Sequence, residues 1–208
     1  MSPSVTRAAI AEVSRYAYSE RLKAAGFRRT GSHMYRPSDD LFHGIHFQGS
    51  QWGTADEGRF TVNLVVTSPA LYEGWTGKPL PSNPATALFP VVERIGSLMP
   101  DNKDHWWRVS TSTEVAALAE EVLRALVQHA LPFFAAYPDS AAILQRLRAK
   151  GVLPGLTRAQ GPIVHAIIAK AKGLPAEAAT QIQRALVAAG DSPFRTTVKL
   201  IARRLEVP

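Results

Sequence analysis

Arg59-Phe60-Thr61-Val62-Asn63-Leu64-Val65-Val66-Thr67 is the stretch on which the fold turns. Its alternation puts Phe60, Val62, Leu64 and Val66 on one side and Thr61, Asn63, Val65 and Thr67 on the other, the period of two that a pleated strand imposes. β-Branched residues dominate it, and neither Gly nor Pro interrupts it. This predicts a strand with one buried face and one solvent face, as in an antiparallel sheet.

The flanking sequence extends the pattern. Residues 41–48 alternate likewise, with Leu41, His43, Ile45 and Phe47 inward and Phe42, Gly44, His46 and Gln48 outward, and residues 49–58 read as a hairpin loop carrying Trp52. Residues 27–29 and 33–36 form a smaller hairpin about Thr30-Gly31-Ser32, closed by Pro37 and the turn cluster Ser38-Asp39-Asp40. Before it, residues 7–25 carry Ile10, Val13, Ala17 and Leu22 near one helical stripe, with Gly26 in the stop position.

Downstream, Pro69, Pro79, Pro81 and Pro84 make 68–84 a long loop, bearing Trp75. A helix over 85–98, bent at Pro90, a strand over 104–109 and a helix running through Phe134 from a Thr111/Glu114 capping box follow. After Pro138, Gly and Pro separate helices over 139–150, 157–172, 175–189 and 193–206. The expected class is α+β: an antiparallel sheet covered by helices, followed by a basic all-helical C-terminal segment. The expected division is 1–138 and 139–208.

The 208 residues are 46% hydrophobic and 20% charged, the balance of a chain that folds by itself. With no cysteine there is no disulfide, thiolate nucleophile or cysteine-based metal site, the usage expected in the cytoplasm. Neither a signal peptide nor a membrane span is expected. The net charge of +7 is uneven: residues 151–208 hold eight Lys/Arg against Glu177, Asp191 and Glu206, hence +5.

Motifs exclude more than they assign. Gly77-Lys78 is followed by Pro79 where a phosphate loop needs Ser or Thr, and neither G-x-G-x-x-G nor G-x-S-x-G occurs. His43 and His46 lie three apart and point to opposite faces of a strand, and no H-E-x-x-H exists, so no metal or other cofactor is expected. Asp39-Asp40 is turn chemistry. Successive tryptophans at 106 and 107 face opposite ways, so one of them leaves the core. His46, Gln48, Thr61, Asn63, His105, Trp107 and Arg108 are therefore the candidate ligand-binding set on a polar sheet face, with an unknown protein, peptide or small molecule as partner. An enzyme with His46 or His105 as base is the alternative from another class, although neither has an orienting acid in view.

Several segments together resemble a bacterial family catalogued only as a domain of unknown function, numbered in the four-thousands. They are Leu22 to Tyr35 with Gly26-Phe27, Gly31 and Met34-Tyr35; Leu41 to Ser50 with Gln48; Phe60-Thr61-Val62-Asn63-Leu64; Arg94-Ile95-Gly96; and Asp104 with Trp106-Trp107. The likeness spans about residues 5–137 and implies an α+β domain with an antiparallel sheet, but no activity, ligand or catalytic residue. The C-terminal helices offer a second binding alternative. From Pro193, Phe194, Val198, Ile201 and Leu205 form an apolar stripe flanked by Arg195, Lys199 and Arg203, a geometry for weak, sequence-independent nucleic-acid contact.

Overall fold

The computed structural model describes residues 4–88, 90–151 and 153–207. Its six strands, β1 Arg28–Thr30, β2 His33–Ser38, β3 Leu41–Gly49, β4 Glu57–Thr67, β5 Val91–Arg94 and β6 Trp107–Ser110, form an open antiparallel sheet ordered β1-β2-β3-β4-β5, with β6 also paired to β4. The chain forms two compact units. The first comprises Met1–Pro37, His43–Val65 and Glu93–Ala136, and the second Ser38–Phe42, Val66–Val92 and Tyr137–Pro208.

In the first unit, helix α1 (Val5–Ala17) is capped by Ser4, whose side chain accepts from the Arg7 amide, and it continues as a π-helical turn through Leu22. Gly26 then takes φ +84°, the left-handed conformation that stops a helix and starts β1. Helix α3 (Val115–Ala125) runs on through a π-helical segment into α4 (Leu131–Ala135) and packs on α1. Its first residue is set by Glu114, which is itself the N-cap and accepts from the Ala117 amide at 3.3 Å. The expected Thr111 box is thereby corrected. One face of the sheet is closed by an aromatic row, Phe47 to Phe60 at 6.2 Å and Phe60 to Trp107 at 5.5 Å between centroids, with His43 stacked on Phe134. Arg36 lies over Phe27 and donates to the Ala25 carbonyl and His43 Nδ1, tying the helix end to β2 and β3.

β4 is buried on both faces from Phe60 onward, so the expectation that Thr61, Asn63, Val65 and Thr67 face solvent is overturned. β4 is the central strand, paired with β3 on one edge and with β5 and β6 on the other.

Two further expectations are corrected. Residues 69–76 are helix α2 (Pro69–Thr76), because Ser68 caps the Leu71 amide and Pro69 occupies the first turn, where its missing N–H costs nothing. The expected helix over 85–98 is instead a turn (Pro84–Thr86), strand β5 and a second turn (Ile95–Leu98). Pro90 and the β-branched pair Val91-Val92 favour extended backbone there. The C-terminal helices are α5 (Ser140–Lys150), α6 (Gln160–Ala171), α7 (Pro175–Ala189) and α8 (Phe194–Arg204). α6 is central, with Ile163 through Ala169 all buried, and Gly74 of α2 approaches it so closely that a Cβ there would lie 2.8 Å from Ile167. Glu177 on α7 accepts from Arg148 of α5 at 2.8 and 2.6 Å and pairs with His165 of α6 at 2.6 Å. Hydrogen bonds from Arg148 and then His165 hold its carboxyl at about 2, against an ordinary 4.5. Asp40 accepts from the backbone and hydroxyl of Ser140, the structural use expected of that turn.

Candidate functional site

The sheet face opposite the aromatic row carries a line of uncharged polar groups. His33 and His46 stack with centroids 4.5 Å apart and rings parallel to within 1°. Asn63 Nδ2 donates to Gln48 Oε1 at 2.8 Å and reaches His46 Nδ1 at 3.3 Å. Burial, and secondarily the neighbouring His33, lowers His46 from 6.5 to about 4, and burial lowers His33 as well. Both rings are neutral at pH 7 and act there as hydrogen-bonding groups. His33 Nδ1 and Thr61 Oγ1 are buried and have no partner among the described residues.

Next to this line lies a charged aromatic cluster. The guanidiniums of Arg59 and Arg94 sit 5.0 and 5.1 Å from the centre of the Trp106 ring. Asp104 accepts from Arg94 Nη1 at 2.6 and 2.7 Å and from Trp106 Nε1 at 2.8 Å. Burial pushes its carboxyl up, but the Trp106 and Arg94 hydrogen bonds and the charges of Arg94 and Arg59 outweigh that and hold it below its ordinary value. Register pairs Arg59 with Arg108 directly across β4 and β6.

The same register sends Trp107 to the other face. It pairs with Phe60, is 4% exposed and donates Nε1 to Glu121 of α3 at 2.8 Å. Trp107 is thus part of the core, and Trp106 is the tryptophan that leaves it. His105 packs edge-on against Trp107 with its Nε2 buried and without a partner. Of the residues singled out from sequence, the fold brings together His46, Gln48 and Asn63, with Thr61 beside Asn63 in β4. Arg108 stands next to them in the charged cluster, and His105 and Trp107 turn away.

At the end of the sheet a cleft of about 740 Å³ opens between the first turns of α1 and the β1–β2 turn. Thr6, Arg7 and Ile10 of α1, Arg29, Ser32 and His33 of the β1–β2 hairpin, and Phe47 and Ser50 are among the residues that line it. Its volume falls in the range of small-molecule sites. His33 therefore belongs to both the cleft and the polar line. Sequence reasoning passed over His33, Arg29 and Trp106; the alternation of residues 33–36 against 41–48 is the signal that could have placed His33 beside His46.

In the second unit, Arg195 Nη1 donates to the carbonyls of Leu186 and Gly190, closing the end of α7, so it is withdrawn from the basic stripe; Lys199 and Arg203 stay exposed. Trp75 of α2 packs on Phe194 at 6.4 Å. Among the described residues no group of three His, Asp or Glu converges as metal ligands, and no helix is long and apolar enough to cross a membrane.

Residues 18–136, more than half of the chain, match the family model described as Domain of unknown function (DUF4304). The chain belongs to this family. The DUF4304 segment includes all six strands, the polar line and the charged cluster, whereas α1, which helps to line the cleft, precedes it. No curated protein and no solved structure matches the chain.

Proposed function

We propose that this chain is a non-enzymatic binding module that takes a small ligand in the cleft at the end of its sheet, with the polar line behind it. The observation that carries this reading is His33. His33 lines the cleft, its Nδ1 is buried without a partner among the described residues, and its ring is braced by the stack on His46. An orphaned buried polar atom costs roughly 1–3 kcal/mol, a cost that a ligand hydrogen bond removes. The chemistry around it favours recognition over catalysis. A general base works best with a pKa near the operating pH, and His46, at about 4 and facing an amide rather than a carboxylate, is poorly matched.

The reading is tested by fragment screening with backbone amide shifts as readout. Binding fragments are expected to move Ser32, His33 and Ser50 together, and His33→Ala is expected to weaken them severalfold while the fold stays intact. Fragments that bind elsewhere, or that ignore His33→Ala, refute it. Trp107 and Asn63 are both 4% exposed, so alanine at either would report stability and not binding.

A further inference from the structure

We infer that the cleft holds its ligand through a phosphoryl group, or a similar tetrahedral oxyanion, received by Arg7 and Arg29. The inference rests on the binding reading above and adds the chemistry of the ligand. Arg7 and Arg29 are the charged residues lining the cleft, and no acid lines it among the described residues. Neither forms an ion pair among the described residues. Arg29 is the stronger argument. Its Nε is buried with no hydrogen-bond acceptor among the described residues, so one N–H of a half-buried, permanently charged group has given up water with nothing in return. His33, which also lines the cleft, has its Nδ1 orphaned in the same way.

The rest of the lining agrees. Hydroxyls of Thr6, Ser32 and Ser50 can donate to anionic oxygens, and α1 opens on the cleft with no acid in its first turn, so the positive end of its dipole goes uncompensated. About 740 Å³ far exceeds an inorganic anion, and Ile10 and Phe47 provide apolar contact for the remainder of the ligand. The ligand class is accordingly a soluble small molecule with one phosphoryl group on a partly apolar body. Guanidinium forks match such oxygens bidentately, which makes these two arginines a specificity device as well as an attraction.

The test uses the full chain, with phenyl phosphate, phenol and inorganic phosphate as probes in calorimetry and amide-shift titrations. Phenyl phosphate is expected to bind at Ser32 and Ser50 at least about tenfold more tightly than phenol, with inorganic phosphate competing and added salt weakening it. Arg29→Gln is expected to abolish that preference. Arg7→Gln, at an exposed position that leaves the fold intact, is expected to cut it severalfold. Equal binding of phenol and phenyl phosphate in the cleft overturns the oxyanion while leaving the binding module standing. Phenyl phosphate affinity unchanged in Arg7→Gln and Arg29→Gln also overturns it. Absence of any cleft shift with all three probes, when neutral fragments do bind there, overturns the oxyanion alone; absence with fragments too removes both readings.

Discussion

Acidification from pH 7.5 to 4.5 is expected to weaken the fold in part through His46. Its ring titrates near 6.5 when unfolded and at about 4 in the fold, because burial and the His33 ring disfavour its cation. Above 6.5 both states are neutral and nothing is lost. Between 6.5 and 4 only the unfolded chain takes up the proton, so stability falls as pH falls, and below about 4 the loss is complete. That depression corresponds to at most about 3.4 kcal/mol. His46 is only half-buried, and solvent screening reduces the figure to on the order of 1–2 kcal/mol. Urea unfolding of the wild type and His46→Gln at both pH values isolates it, since the carboxylates of the two proteins are the same and cancel in the difference. The variant is expected to lose less stability on acidification by about that amount, and the His46 ring signals to titrate near 4. A midpoint near 6.5, or equal acid sensitivity of the two proteins, refutes the reasoning.

Trp107→Ala is expected to cost about 3–5 kcal/mol in denaturant unfolding, by emptying the space beside Phe60 and leaving Glu121 without its donor; a loss below about 1 kcal/mol would contradict its place in the core. Gly77 has φ +73°, and a Cβ there would lie 2.7 Å from Arg204 Nε, so Gly77→Ala is expected to lower the melting temperature and break the Arg204 hydrogen bond to the Trp75 carbonyl, visible as altered Trp75 signals. Glu177 contributes stability above its unfolded value of 4.5 that is lost as pH falls towards 2; Glu177→Gln should flatten the acid limb of the stability curve over that window, and an unchanged limb would sink the assignment. Arg195→Ala is expected to destabilise the end of α7 and leave any binding of duplex DNA at low salt unaltered, which gel shift and thermal melting together would check.

What the sequence disclosed follows the reach of local physics. Period-two alternation in 41–48 and 59–67 needs no partner to be read, and the Gly/Pro stops gave the C-terminal helices to within a few residues. Proline was misjudged where its meaning depends on one neighbour: after Ser68 it starts a helix, and before Val91 it starts a strand. The site was less legible because it depends on register. Alternation says that Trp106 and Trp107 part company, but only the pairing of Phe60 with Trp107 says which one enters the core. Likewise Arg29 reads as an ordinary solvated residue, and only the folded chain shows it lining the cleft with its Nε buried.

An open sheet also offers free backbone edges, and here each end of it is kept short. β1 has three residues, β5 four and β6 four. β1 carries Arg28 and Arg29, β6 carries Arg108, and Pro90 precedes β5. Short strands, fixed positive charge and proline are the devices by which natural sheets avoid pairing with a second molecule. The arginines around this sheet consequently stand where gatekeepers against edge-to-edge aggregation stand, since two copies pairing there would have to bring like charges into register.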